Sequence, residues 1–165
     1  MKKLPNYQTY LINLDRAKDR LNLMEYELDK AQVSYERISA IDASKLNSEE
    51  YTIRNKYDRE LVSGEIGCYL SHVKTMKTFL HSEFDFALII EDDAILVDNF
   101  KSILENSLIT YNELPKKHQW DVLKLFNGKR KHIKITDIDN SYLIGACGTS
   151  IPITTIAAVW TRKAA

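Results

Sequence analysis

Four apolar residues, Ala87-Leu88-Ile89-Ile90, run directly into three acids, Glu91-Asp92-Asp93. A short apolar run reads as a buried strand. Three adjacent carboxylates cannot follow it into the interior, because an unpaired buried charge costs several kcal/mol or more. The strand must therefore end at a surface where its tip meets solvent, a cation or a basic ligand. In open α/β sheets that surface, outside the carboxyl ends of the strands, is where ligands bind. A hard divalent ion held by a few carboxylates and completed by phosphates fits such a tip. A solvated acidic turn after an edge strand is the other reading of the same residues.

The rest of the chain supplies an α/β frame around that strand. Thr9 to Leu14 is β-branched and aromatic, as a first strand should be. Ala17, Leu21, Met24, Leu28 and Ala31 recur at helical spacing. Ser34 to Ile38 follows as a second strand. Strand, helix and strand in this order predict parallel pairing with a right-handed crossover. The polar stretch 44–60 reads as loop with short helical turns. A long helix is predicted from Ser63-Gly64 to about His81, with Ile66, Tyr69, Leu70, Val73, Met76, Phe79 and Leu80 as its apolar stripe. A further helix around Phe100–Leu108 stops before Pro115. Trp120–Phe126 and Ile156–Trp160 read as strands, with weaker ones at Ile133–Thr136 and Tyr142–Ile144. Thr161–Ala165 reads as the first turn of a helix. The abrupt end suggests a truncated C-terminal part, and nothing divides 1–165 into more than one domain.

Bulk properties narrow the partners. Lys+Arg and Asp+Glu are equal at 23 each, so net charge gives no support for nucleic-acid binding. Lys129-Arg130-Lys131-His132 is a local basic cluster that reads first as a solvated loop. Two cysteines, Cys68 and Cys147, make neither a disulfide framework nor a paired zinc motif, which points to a reducing compartment. No apolar run has the length of a membrane span and no secretory leader is visible, so a cytoplasmic location is expected, with peripheral membrane contact left open.

Several side chains are candidates for chemistry. Asn13 sits at the exit of the first strand. Arg16 and Arg20, four apart on one side of the next helix, suit a diphosphate because the guanidinium fork binds phosphate in a bidentate way. Pairing with Asp15, Asp19 or solvent is the alternative. Asp42, at the exit of the second strand, is placed to accept from ribose hydroxyls, but no glycine-rich phosphate loop precedes it, which argues against a nicotinamide cofactor. Gly67 sits early in a helix at a cost of about 1 kcal/mol relative to alanine, which a close backbone approach would justify. Glu65, Cys68 and His72 fall on roughly one helical face. Packing of Cys68 and hydrogen bonding of His72 is the simpler reading, and a zinc site the sharper one.

Three of these blocks, in order and spacing, resemble glycosyltransferase family 25, the lipooligosaccharide biosynthesis glycosyltransferases. They are Tyr10-Leu11-Ile12-Asn13-Leu14-Asp15-Arg16 with Asp19-Arg20-Leu21, Gly64-Glu65-Ile66-Gly67-Cys68-Tyr69-Leu70-Ser71-His72, and Leu88-Ile89-Ile90-Glu91-Asp92-Asp93-Ala94. The resemblance implies a GT-A-like, Rossmann-like fold with a mostly parallel sheet flanked by helices. It implies transfer of a hexose, galactose in many bacterial members, from a UDP-sugar donor to a lipooligosaccharide or other glycan or glycolipid acceptor, with inversion. Glu91 and Asp93 then correspond to ligands of Mn²⁺ or Mg²⁺, and Asn13, Arg16, Arg20, Asp42 and Asp92 to the donor-binding region. A general base is required for the acceptor hydroxyl. Asp121, Glu65 and His72 are candidates, with Asp121 ahead because it begins a predicted strand. Two other readings compete: a Mg²⁺-binding phospho-receiver domain, and a donor-binding remnant without turnover. The first is disfavoured because its acids should follow the first strand.

Overall fold

The computed structural model describes residues 3–47, 49, 51–53, 55, 58–125, 132–138, 140–147 and 156–165. A five-stranded sheet has the order β2-β1-β3-β7-β4, from β1 (Tyr7–Asn13), β2 (Glu36–Ser39), β3 (Phe86–Glu91), β4 (Val122–Lys124) and β7 (Ala157–Thr161). β1 pairs in parallel with β2 and β3, while β7 runs antiparallel between β3 and β4. Four of the five strands thus point the same way. β5 (His132–Asp137) and β6 (Leu143–Cys147) form a separate antiparallel pair where the sequence predicted two weaker strands.

Burial on both faces explains why β1 and β3 read as continuous apolar runs. The period of two assigns each residue to a layer. Leu11, Leu88, Ile90 and Val159 pack with Met24 and Leu28 of α1 (Lys18–Lys30) and with Phe100, Leu104 and Leu108 of α3 (Phe100–Glu113). Tyr10, Ile12, Ile38, Ala87 and Ile89 face the other way, onto Phe79 of α2 (Ser63–Leu80). Helices on both faces make this the three-layer α/β arrangement expected from the βαβ pattern.

Two expectations change. The face of α2 that is buried is Ile66, Gly67, Ser71, Thr75 and Phe79, while Tyr69 and Leu80 of the predicted stripe are exposed. Small side chains let the helix approach closely. The buried hydroxyls are satisfied within the helix, Ser71 donating to the Gly67 carbonyl (2.6 Å) and Thr75 to the Ser71 carbonyl (2.8 Å). The terminal residues form a turn after β7, not a helix, with the Ala164 N–H bonded to the Thr161 carbonyl at 3.0 Å. The polar stretch opens with a 3₁₀ turn at Ala43–Lys45, capped by the Asp42 side chain.

Arg162 fixes the far end of α2. Its guanidinium donates to the carbonyls of Leu80, Ser82 and Phe84 at 2.6–3.1 Å and lies 5.1 Å from the centre of the Phe79 ring.

Candidate functional site

β1 leads through α1 to β2 on one side, and β2 leads through α2 to β3 on the other side of β1. The chain therefore reverses its direction of growth at β1, and a cleft is expected beyond the carboxyl ends at that point. A cavity of about 220 Å³ lies there, walled by the ends of β1, β2 and β3 and by the first turns of α2. Asn13, Arg16, Arg20, Asp42, Cys68, His72, Glu91, Asp92 and Asp93 all line it. Nine sequence candidates, from Asn13 to Asp93, are thus brought to one opening.

Asn13 holds the floor together. It is 1% exposed, and its amide donates to Asp92 Oδ2 at 2.6 Å and to the Ala17 carbonyl at 3.1 Å. Its carbonyl oxygen accepts from Arg37 Nε (3.1 Å) and Nη2 (2.9 Å). Asp92 is clamped from the other side by Arg20, 3.3 Å away. Arg16 pairs with Asp42, whose second oxygen accepts from the Ser44 hydroxyl at 2.6 Å. Those Ser44 bonds, with Arg16 and Lys45 nearby, hold the Asp42 carboxyl below its usual range. The two arginines therefore pair with cleft acids, not with Asp15 or Asp19. Asp15 instead binds Arg37 and Ser39. Arg37 was not singled out in the sequence, where the only signal was a charge in the middle of a short strand.

Gly67 explains its own presence. A Cβ there would stand 2.6 Å from the Ile41 carbonyl oxygen, so the β2 exit can cross α2 only over a glycine. Ser71 seals the same crossing by accepting the Ile41 N–H at 2.8 Å.

At the β3 tip, His72 Nε2 lies 3.0 Å from Glu91 Oε1. Burial opposes charge on His72, but hydrogen bonds from its ring to Cys68 and Glu91 outweigh it and push the imidazole up to about 9. Cys68, His72 and Glu91 place one donor atom each within 4.8 Å of one another. Cys68 is exposed, which removes the packed-cysteine reading. The third member is Glu91, not Glu65. Glu65 is bound by Arg59 (2.8 and 2.5 Å) and caps α2 by accepting the Val62 N–H (3.0 Å). Arg59 and the Val62 bond hold its carboxyl down to about 2.

Asp93 is exposed and, among the described residues, has no hydrogen bond or ion pair. A carboxylate standing free beside two constrained ones is a donor set that fits a hard Mn²⁺ or Mg²⁺ ion, which needs one or two protein carboxylates and otherwise takes phosphate and water. Asp121 is elsewhere. It precedes β4, which runs parallel to β3, and its backbone carbonyl is level with the start of that strand through Thr161. At ~3.3 Å per residue this is on the order of 15 Å along the sheet from the acidic tip. Its side chain pairs with Lys163 at 3.1 Å. Asp121 does not reach the cleft, so its place as first candidate for the base is corrected.

Human procollagen galactosyltransferase 2 is 33% identical over 107 residues, covering 59% of this chain and 17% of that protein. A glycosyltransferase 25 family member of Drosophila melanogaster is 28% identical over 138 residues, 78% of this chain and 22% of the relative. A rat protein named "Probable inactive glycosyltransferase 25 family member 3" is 27% identical over 128 residues, 72% of this chain and 22% of its own length. The chain spans about a fifth of the length of these curated relatives. The family model for glycosyltransferase family 25 (LPS biosynthesis protein) matches residues 6–145, which takes in all three motif blocks and every wall of the cleft. By that match, the chain belongs to glycosyltransferase family 25.

Proposed function

We propose that the cleft binds a UDP-sugar, with galactose as the hexose, and transfers it with inversion to a glycan or glycolipid acceptor. One observation carries this reading: in a family 25 chain, an unpaired Asp93 and two half-exposed arginines share one opening at the carboxyl ends of β1–β3. The side chains of Arg16 and Arg20 are 60% and 49% exposed, so both can turn toward a diphosphate. The positive end of α2 faces the same space. Asp42, oriented by Ser44, is set for ribose hydroxyls. Asn13 holds Asp92 in register and so fixes the backbone that presents Asp93.

Mn²⁺ or Mg²⁺ bound at Asp93 and Glu91 would supply Lewis-acid stabilisation of the departing nucleoside diphosphate. The arginines add fixed positive charge where the leaving oxygen becomes negative. In transfer, the acceptor hydroxyl bonds to the anomeric carbon as the carbon–diphosphate bond breaks, and its proton passes to a base. A glycolipid acceptor would bring the protein to the inner face of the cytoplasmic membrane. No described helix is long and apolar enough to cross a membrane.

A second reading is donor binding without transfer. It is favoured because the cleft's other carboxylates, Asp42, Glu91 and Asp92, are already engaged by Ser44 and Arg16, by His72, and by Asn13 and Arg20. Calorimetry of UDP with and without Mn²⁺, followed by release of UDP from UDP-galactose, separates the two. Metal-dependent UDP binding is expected, and Asp93→Ala is expected to weaken it at least tenfold without changing the far-ultraviolet circular dichroism. Wild-type affinity in Asp93→Ala removes Asp93 from the site.

A further inference from the structure

The geometry points to a second cation subsite in the cleft, formed by Cys68, His72 and Glu91 and suited to a borderline ion of the Zn²⁺ class. Its relation to Asp93, described below, rests on the proposed function, but the subsite itself does not. Cys68 and His72 are four residues apart on α2, one turn, so their side chains share a face. Glu91 meets them from the end of β3. The three donor atoms already lie within 4.8 Å of one another, with the His72–Glu91 pair at 3.0 Å.

Zinc–ligand distances of ~2.0–2.3 Å place tetrahedral donors roughly 3.3–3.8 Å apart. Small side-chain rotations therefore suffice to gather a thiolate, an imidazole and a carboxylate around one ion. Three protein donors leave a fourth position open. Gly64, four residues before Cys68, has nothing within 4 Å of where a Cβ would stand, so the space beside that face of the helix is clear. A His–Glu ion pair needs no sulfur beside it, and a cysteine that merely packed would not be exposed.

The donor set also decides the ion. Thiolate and imidazole select zinc, cobalt and similar ions over Mg²⁺ and Ca²⁺, whereas the all-oxygen Asp93 selects the reverse. Binding releases the Cys68 thiol proton and any proton on His72 to solvent. Glu91 is common to both positions, so an ion held by Cys68 and His72 draws Glu91 away from the hard ion beside Asp93.

The test is titration of the metal-free full chain with Co²⁺ under a non-thiol reductant, read by absorption. One equivalent is expected to produce a near-ultraviolet thiolate-to-cobalt charge-transfer band, and Zn²⁺ to abolish it. Cys68→Ser is nearly isosteric at an exposed site and is expected to lose the band. His72→Gln is expected to weaken Co²⁺ at least tenfold. No band in the unmodified chain overturns the inference. A band that persists in Cys68→Ser also overturns it, by assigning the sulfur to Cys147. UDP–Mn²⁺ calorimetry on the unmodified chain is scored separately. A chain that shows the band and binds no UDP refutes the donor reading alone, and the converse refutes the subsite alone.

Discussion

Gly67→Ala is the most informative single substitution, because two opposing effects can be sized. Alanine is favoured over glycine in a helix interior by about 1 kcal/mol. Against that, the new methyl would sit 2.6 Å from the Ile41 carbonyl oxygen. An ordinary carbon–oxygen approach is ~3.3 Å or more, so the β2 exit must retreat by roughly 0.7 Å. Overpacking of this kind costs about 1–3 kcal/mol. Net destabilisation should be about 0–2 kcal/mol, and the protein should stay folded. The retreat nevertheless falls on the segment between Ala40 and Ala43, whose Ile41 N–H is tied to Ser71 and whose Asp42 forms one wall of the cleft. UDP affinity should fall roughly tenfold, about 1.4 kcal/mol. Gly64→Ala is the control, since a Cβ there meets nothing within 4 Å and stability should rise by up to about 1 kcal/mol. Urea unfolding and UDP calorimetry on both variants provide the readout. If Gly67→Ala gains the full helix-propensity benefit and binds UDP as tightly as the parent, the backbone crossing does not constrain the site.

Three further outcomes are expected. Arg162→Ala removes a guanidinium bonded to the carbonyls of Leu80, Ser82 and Phe84 and should cost about 2–4 kcal/mol, read as a fall in Tm; Arg162→Lys should not restore it, because one ammonium cannot span that fan of acceptors. Asn13→Ala removes one hydrogen-bond partner each from Asp92 and Arg37, which keep Arg20 and Asp15, and should cost about 1–3 kcal/mol in urea unfolding; a loss under about 0.5 kcal/mol refutes its role as the floor of the cleft. His72 is held up to about 9 in the folded chain, above its ordinary 6.5, so the stability it confers on the metal-free protein is complete below pH 6.5 and disappears as pH rises through 9. That loss should be on the order of 3 kcal/mol and absent from His72→Gln; an NMR titration of the imidazole near 6.5 refutes it.

The local elements were legible because their signals are local. β1, β3 and α1 announce themselves by apolar runs and helical spacing, and the acids after Ile90 mark where the sheet ends. Asn13, Asp42 and the acidic triplet stand at strand exits in the sequence, whereas Arg16 and Arg20 read equally as partners of Asp15, Asp19 or solvent, and their grouping with the others came with the family resemblance. What was hidden depends on pairing across the chain. Asp121 was favoured because it begins a strand, yet a cleft at the carboxyl ends excludes residues at strand starts, and only the orientation of β4 through β7 reveals which end Asp121 occupies. The buried face of α2 was misread because Ser71 and Thr75 satisfy their hydroxyls on their own helix, so small polar residues stand where periodicity expects Tyr69 and Leu80. Cys68 and His72 were visible as neighbours, but their companion Glu91 comes from another element, and Glu65 was drawn off by Arg59.

The place of β7 has a consequence for how the chain matures. β3, apolar on both faces, must wait for residues 157–161 before its second edge is covered, although its other neighbour, β1, leaves the ribosome early. During synthesis a half-built sheet therefore presents a bare backbone ladder at its centre, the kind of template that recruits other nascent chains. Yield at 37 °C should depend on ribosome-associated holdases far more than the finished molecule's stability would suggest, and slowing translation before Ile156 should worsen aggregation, because it prolongs the interval in which that ladder lacks its partner.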